Sequence, residues 1–273
     1  MAHPQHDMIF RSGSRTYYNS SRFFPKEVRE DVFILYGFVR VADNFVDAIP
    51  QNPDGFYRFC SLYREAAAGK PSGDVIIDSY VELGKRKQFD PAWSEAFLRS
   101  MEMDLTRRTY DTLDDTLAYI YGSAEVIGLF MARIMDLDPA SHRSAAMLGR
   151  AMQYINFIRD IDEDLRLGRR YLPLTDTTLT DLSEETARRN SEEFCRFIRQ
   201  ETQRYDLWQA EAEEGYAYIP RRYRIPIRTA AEMYRWTSRQ IARDPLRVYR
   251  EQVKPGKARI VLQALGLLLG GRS

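Results

Sequence analysis

The sequence has few of the residues that build disulfide frameworks or histidine-based metal sites. Its 273 residues include 2 cysteines and 3 histidines. Cys60 and Cys195 are too few for a disulfide scaffold, and His3, His6 and His142 do not form a set with metal-ligand spacing. The 40 basic residues are matched by 39 acidic ones, so the overall charge gives no reason to expect nucleic acid as a partner.

Long apolar runs and nucleotide-binding glycine motifs are also missing. The longest apolar stretch, near Ile260 to Leu269, is about half the length of a membrane span. The N-terminus has no basic segment followed by an apolar one, so no signal peptide is predicted. A GxGxxG motif does not occur, so no Rossmann-type site is predicted. We therefore expect a soluble, cytoplasmic protein, in which the basic run Arg221 to Arg224 and the apolar C-terminal helix would allow peripheral contact with a membrane.

Helical periodicity extends along nearly the whole chain, and strand-like alternation is scarce. Pro25 opens one helix, whose apolar series reaches Val46. A second long helix is predicted from Thr112 to Met135, and a third from Ser141 to Leu167 with Gly168 as its stop. The other predicted helices cover 56–68, 75–89, 91–107, 183–189, 191–214, 225–243, 246–252 and 257–269. The pattern predicts an all-α fold, a helical bundle in a single domain over residues 1–273.

Two aspartates four residues apart, Asp43 and Asp47, occur in an otherwise apolar helix. Both carboxylates face the same side of that helix, and Tyr36 and Arg40 extend the stripe. Buried carboxylates need a cation, which Arg40 or a metal ion would supply. A solvated surface stripe is the alternative interpretation. Upstream, the polar segment Ser12 to Tyr18 has the hydroxyls and the arginine that could cradle a phosphate.

A second stripe contains Gln153, Asn156, Asp160 and Asp164 at helical spacing, with Arg159 beside it. Amide and carboxylate oxygens suit Mg²⁺, which usually completes its shell with water and substrate phosphates. The alternative is an exposed amphipathic helix with salt bridges. Two such stripes facing each other across a bundle predict a site for Mg²⁺, or Mn²⁺ in its place, together with a diphosphate.

These segments resemble the squalene and phytoene synthases, which join prenyl diphosphates head to head. The resemblance rests on DNFVD and on NFIRDIDEDLRLGRRYLP, and it covers nearly the whole chain. The segment MEMDLTRRTYDTLDDTLAYIYGSAEVIG is most similar to prokaryotic phytoene synthases. The resemblance implies an all-α bundle of the isoprenoid synthase type around a central substrate cavity.

The resemblance also implies roles for individual residues. Those implied as Mg²⁺ ligands are Asp43, Asp47, Asn156, Asp160 and Asp164. The four aspartates and Tyr171 would be catalytic. The residues implied in binding the diphosphate or the prenyl chain are Ser14, Thr16, Tyr36, Arg40, Tyr119, Gly128, Gln153, Arg159, Arg170 and Tyr234. Glu125 departs from the pattern, since many relatives carry a small residue there. We expect Glu125 to point away from the cavity or to pair with an arginine.

The implied reaction joins two prenyl diphosphates, preferably two geranylgeranyl diphosphates, to phytoene through a cyclopropylcarbinyl diphosphate. Diphosphate is released, and NADPH is not expected. A squalene or dehydrosqualene synthase using farnesyl diphosphate is an alternative, as is a presqualene diphosphate synthase or a cyclase. A non-catalytic scaffold of the same fold is disfavoured, because both acidic pairs are intact. The sequence does not indicate the oligomeric state or the final proton acceptor.

Overall fold

A computed structural model describes residues 3–13, 21 and 24–270. Ser14 and Thr16, two predicted substrate-binding residues, lie outside the described residues. The described part of the chain contains helices and one isolated β-bridge, between Thr109 and Arg170, and no strand. The predicted all-α fold is confirmed, whereas the single domain over residues 1–273 stays a prediction.

The first half of the chain forms helices that surround an aromatic core. They are α1 (Pro4–Gly13), α2 (Lys26–Asp47), α3 (Pro53–Ala67), α4 (Val75–Lys87), α5 (Pro91–Thr106), α6 (Leu113–Ile120) and α7 (Val126–Ile134). A π-helical turn, Tyr121–Glu125, joins α6 to α7. In the core, Phe38 of α2 stacks on Tyr80 of α4 at a centroid distance of 3.8 Å.

The second half is built around one central helix, α8 (His142–Arg159), which packs against α7, α11 and α12. The helices after it are α9 (Ile161–Arg166), α10 (Glu184–Arg189), α11 (Ser191–Glu213), α12 (Arg221–Arg243) and α13 (Lys257–Gly270). Short 3₁₀ turns occur at Pro139–Ser141, Glu214–Tyr218 and Pro245–Tyr249.

Local sequence signals explain where several helices begin. Thr112 caps α6 and forms a reciprocal capping box with Asp115. The Asp74 side chain accepts from the backbone N–H groups of Ile76 and Ile77 at the start of α4. These bonds satisfy N–H groups that have no partner inside the helix, so the predicted starts of these helices are correct to within a residue or two.

Two predicted helices differ from the structure in continuity or type, and α12 begins at Arg221, four residues before its predicted start. The helix predicted over 141–167 is interrupted at Asp160, whose φ of −100° and ψ of 19° leave helical geometry. The Asp164 N–H still donates to the Asp160 carbonyl at 2.8 Å, so the acidic stripe continues across the break. The helix predicted over 246–252 is wrong, because Pro245–Tyr249 forms a 3₁₀ turn. Asp244 precedes a proline and takes an extended φ of −142°, which prevents α12 from continuing.

Two glycines allow α7 and α8 to pack at close range. A Cβ at Gly128 would lie 2.0 Å from the Ala145 carbonyl oxygen, and one at Gly149 would lie 2.2 Å from the Ala124 carbonyl oxygen. Any larger residue would push the helices apart. The pair forms one wall of the substrate cavity described below.

The helix Leu113–Ile134, which comprises α6, the π-helical turn and α7, is long and apolar enough to cross a membrane by length and composition. In the structure, 56% of its most apolar window is buried. Its apolar character therefore fits packing inside the protein.

Candidate active site

The two acidic stripes meet where α2 ends and where α8 passes into α9. Asp43 and Asp47 lie on the last turns of α2, whereas Asp160 forms the junction of α8 and α9 and Asp164 lies on α9. The charge of Asp47 acts on the carboxyl of Asp164, so the two stripes face each other.

Two arginines at the stripes pair with aspartates of their own helices. Arg40 donates to Asp43 Oδ2, and Arg159 Nε donates to Asp160 Oδ1 at 2.7 Å. A guanidinium beside a carboxylate can also bind phosphate oxygens through its remaining N–H groups. The site therefore presents carboxylates that can bind a cation and guanidinium groups that can bind phosphate oxygens.

Burial disfavours the charged form of these aspartates. It raises the pKa of Asp43 to about 7, and the neighbouring Asp47 adds to the effect, while Arg40 opposes it. Burial, followed by the charge of Asp160, likewise raises the pKa of Asp164 well above its usual range. Additional positive charge between the stripes would stabilise the ionised carboxylates.

A third arginine, Arg169, reaches the acids through the turn that ends α9. The Gly168 N–H donates to the Leu165 carbonyl at 2.9 Å, and the Arg169 N–H donates to the Asp164 carbonyl at 2.8 Å, which is a Schellman motif. Gly168 has φ of 71°, a conformation that favours glycine, and the predicted stop there is confirmed. The turn directs the side chain of Arg169 back beneath the stripes.

The Arg169 side chain is buried and forms a fixed cation between the stripes. Its Nη1 donates to Asp47 Oδ1 at 2.6 Å, and its Nη2 donates to the Val46 carbonyl at 2.6 Å. Only 3% of the residue is exposed. Arg169 follows the second stripe directly in the sequence, and the family resemblance implied no role for it.

Beneath Arg169 lies a buried aspartate, Asp104 of α5, that sequence reasoning missed. The Tyr119 hydroxyl donates to Asp104 Oδ2 at 2.6 Å, and the Tyr171 hydroxyl donates to Oδ1 at 2.5 Å. Burial raises the pKa of Asp104 to about 6, although Arg169 and both tyrosine bonds lower it. The position of Asp104 between the apolar residues Met103 and Leu105 was the available signal.

Tyr119 and Tyr171 therefore both belong to this lower layer. Tyr171 is 5% exposed and stacks on Phe157 with ring centroids 4.3 Å apart. Tyr119 lies 4.9 Å from Tyr171, measured between ring centroids. Both tyrosine hydroxyls bind Asp104, the acid of this lower layer.

An apolar cavity of ≈ 340 Å³ begins beside the stripes. Of the predicted site residues, Tyr36, Gln153, Asn156 and Gly128 line it. The lining residues of α8 recur at helical spacing from Asn156 back to Ser144, which is roughly 18 Å along the helix axis. The volume falls within the range of about 300–1,000 Å³ that is typical of small-molecule sites.

Two further residues that were predicted to bind substrate, Tyr234 and Arg170, lie in different parts of the structure. Tyr234 of α12 is buried near Tyr36, whose pKa is raised to about 12, mainly by burial. Arg170 lies apart from the acids, because it donates to the Leu172 carbonyl at 2.7 Å and to Asp111 Oδ1 at 3.1 Å. These bonds hold the loop that carries Tyr171.

The sequence profile of the squalene/phytoene synthase family matches residues 10–259. The chain belongs to this family. A 15-cis-phytoene synthase of a Paracoccus species is 30% identical, with 95% of this chain and 87% of that protein aligned. A 15-cis-phytoene synthase of Pantoea ananas is 28% identical, with 95% and 90% aligned. The protein is thus an enzyme of the prenyltransferase type.

Solved structures share the fold. A squalene synthase from Alicyclobacillus acidocaldarius superposes with a TM-score of 0.79 at 23% identity, covering 89% of this chain and 93% of the other. A dehydrosqualene synthase in complex with a ligand gives a TM-score of 0.82 at 20% identity, covering 98% and 95%. The predicted isoprenoid synthase type of all-α bundle is confirmed.

Glu125, the departure from the pattern of the squalene/phytoene synthases, lies in the π-helical turn and is 6% exposed. Arg150 Nε donates to Glu125 Oε1 at 2.7 Å, which confirms the expected pairing with an arginine. Ser123 and Ala124 form the cavity wall at this point. The buried charge is therefore compensated within the fold and leaves the cavity apolar.

The donor set of the stripes fits a hard cation such as Mg²⁺. The Asn156 Oδ1 atom is buried, and no group of the described residues hydrogen-bonds it. A buried acceptor without a partner is costly, so a bound cation would satisfy it. Within the described residues, no three Asp, Glu, His or Cys side chains lie together closely enough to hold a metal ion by themselves. An incomplete set is what Mg²⁺ uses when phosphates and water supply its other ligands.

Proposed function

We propose that this enzyme is a phytoene synthase, which joins two geranylgeranyl diphosphates head to head and releases diphosphate in a Mg²⁺-dependent reaction. The observation that carries the proposal is the length of the cavity, roughly 18 Å from Asn156 to Ser144, with one further turn to Ser141. An extended geranylgeranyl chain is roughly 19 Å long and a farnesyl chain roughly 14 Å, at a C–C bond of about 1.5 Å. The names of the sequence relatives support the same activity.

The proposed roles at the diphosphate end follow from the facing stripes. Asp43, Asp47, Asn156, Asp160 and Asp164 would hold the metal. Bound Mg²⁺ supplies Lewis acidity that stabilises the departing diphosphate. Arg40 and Arg159 would bind diphosphate oxygens and hold the leaving group beside the cavity mouth. Ser14 and Thr16 stay predicted phosphate contacts.

The cavity would protect the allylic carbocation that remains. Its walls are mostly apolar, so water that would quench the cation is excluded. The raised pKa of Tyr36, about 12, keeps its hydroxyl neutral, and its ring can stabilise the cation at the mouth. Attack by the second prenyl diphosphate and loss of one proton give a cyclopropylcarbinyl diphosphate. Its ionisation releases a second diphosphate, and rearrangement followed by loss of a second proton gives phytoene. The released diphosphate is available to accept that proton.

A product assay tests the proposal. Purified enzyme with Mg²⁺ is given geranylgeranyl or farnesyl diphosphate, with and without NADPH, and extracts are analysed by mass spectrometry. We expect a forty-carbon hydrocarbon from geranylgeranyl diphosphate without NADPH. A thirty-carbon product alone would replace the proposal with a dehydrosqualene synthase, or with a squalene synthase if NADPH is required. No product and no diphosphate release would favour a scaffold role.

A further inference from the structure

Asp104 is the most completely buried acid near the stripes, and none of the proposed roles includes it. It is 2% exposed and accepts hydrogen bonds from the hydroxyls of Tyr119 and Tyr171. The Arg169 Nε atom lies 3.9 Å from Asp104 Oδ1, and no group of the described residues hydrogen-bonds that nitrogen. An ionised carboxylate at this depth is expensive to maintain, so its neighbours indicate what it does.

The guanidinium of Arg169 faces two acids through different nitrogens. One edge, Nη1, donates to Asp47 Oδ1, while Nε faces Asp104 at a distance beyond a hydrogen bond. Asp47 thus contacts Arg169 through one oxygen, and 39% of the Asp47 side chain remains exposed. This geometry differs from the bidentate pair that arginine and a carboxylate prefer.

We propose that Asp104 is a positioning residue of the diphosphate site. Its charge, fixed by Tyr119 and Tyr171, holds Arg169 back, so that the carboxylates of Asp47 and Asp164 stay available to a divalent cation. The inference rests on the proposed function, because it assumes that these carboxylates bind Mg²⁺ with diphosphate.

Removing that charge should redirect Arg169. With a neutral side chain at position 104, the guanidinium keeps its bond to Asp47, and the carboxyl of Asp164 still lies within the range of its charge. A bidentate pair with either one would neutralise a metal ligand and occupy its oxygens. The site would then bind Mg²⁺ less tightly while the helices around it remain folded.

The decisive variant is Asp104→Asn, which keeps the shape and removes the charge. Binding of Mg²⁺ in the presence of inorganic diphosphate is measured by isothermal titration calorimetry, which needs no turnover. We expect the apparent dissociation constant to rise about tenfold or more, and the half-saturating Mg²⁺ concentration in the product assay to rise in parallel.

Asp31→Asn is the matched control. Asp31 is also buried, lies on α2, and accepts from Arg86 Nη1 at 2.9 Å and from Arg86 Nη2 at 2.5 Å. It faces α4 and is not part of the diphosphate site. This variant should lose a similar amount of thermal stability and keep wild-type Mg²⁺ binding, which separates positioning from structural damage.

Two results would overturn the proposal. One is unchanged Mg²⁺–diphosphate binding in folded Asp104→Asn; the other is an equal loss of binding in Asp31→Asn. If Asp104→Asn does not fold, Tyr119→Phe decides the matter, since it removes one bond to Asp104 and should weaken Mg²⁺ binding about two- to threefold; no change would refute the proposal. A wild-type enzyme that neither binds Mg²⁺–diphosphate nor forms product would instead refute the proposed function.

Discussion

The substitution Ala145→Phe should restrict the enzyme to a shorter prenyl diphosphate. Ala145 lines the cavity on α8, eleven residues before Asn156, which is about 16 Å along the helix. A farnesyl chain of roughly 14 Å ends before this point, whereas a geranylgeranyl chain of roughly 19 Å extends past it. In Ala145→Phe the ring would take the space of the last isoprene unit and leave the first three unaffected.

The magnitude follows from the apolar surface of that unit. Five carbons at about 0.8 kcal/mol each correspond to about 4 kcal/mol of burial. At about 1.4 kcal/mol for each factor of ten, the ratio of kcat/KM for geranylgeranyl over farnesyl diphosphate should fall roughly 100- to 1,000-fold. The ring fills space that is already present, so we expect the variant to remain folded.

The assay is a competition between the two diphosphates, with thirty- and forty-carbon products quantified by mass spectrometry. Met147→Phe is the control, since it introduces the same side chain on the same helix at a half-buried position, while Ala145 and Leu148 form this part of the cavity lining. It should leave the ratio within about twofold of wild type. A folded Ala145→Phe enzyme with the wild-type ratio would show that the prenyl chain does not run along α8.

Three further results should follow from the same site. Asp43→Ala and Asp160→Ala should each reduce product formation about 100- to 1,000-fold with an unchanged far-ultraviolet circular dichroism spectrum, and full turnover in either would contradict the metal role. Asn156→Leu removes the unpartnered buried oxygen, so the metal-free melting temperature should stay level or rise while the Mg²⁺ requirement increases; a lower melting temperature would mean that the amide is satisfied in solution. Because burial raises the pKa of Asp43 from 3.8 to about 7, the folded metal-free protein retains a proton that the unfolded chain releases, so stability should fall as pH rises between these values. Thermal unfolding in a chelator should show this slope, and Asp43→Asn should flatten it.

The helices were largely predictable, because their signals are local. Apolar periodicity and caps such as Thr112 depend on residues within a few positions of one another. The break at Asp160 was not predictable in this way, since the 141–167 segment keeps helical periodicity through it. Pro245 was a sequence signal for the end of α12 and for the 3₁₀ turn at Pro245–Tyr249. A prediction from apolar periodicity alone does not take this proline into account.

The sequence predicted which site residues share one face of a helix, but not which residues of different helices come into contact. Spacing placed Asp43 beside Asp47 on one face, because both belong to α2. It could not show that Arg169 contacts Asp47, since these residues are 122 positions apart in the chain. Asp104 and Tyr171 are likewise joined across 67 positions. Contacts of this kind depend on how helices pack, and the tight α7–α8 approach at Gly128 is part of that packing.

The charge balance of the site links its stability to its function. Five aspartates, at positions 43, 47, 104, 160 and 164, surround three arginines, at positions 40, 159 and 169, so the site without a ligand would carry an excess of two negative charges if every carboxyl were ionised. Burial makes that excess unfavourable, as the raised pKa of Asp43 shows. A fourth arginine would relieve the strain and stabilise the fold, but it would compete with the cation for the same oxygens. Because the site has fewer arginines than aspartates, its carboxylates stay available to a cation. Mg²⁺ and diphosphate should therefore stabilise the wild-type enzyme more strongly than they stabilise Asp104→Asn.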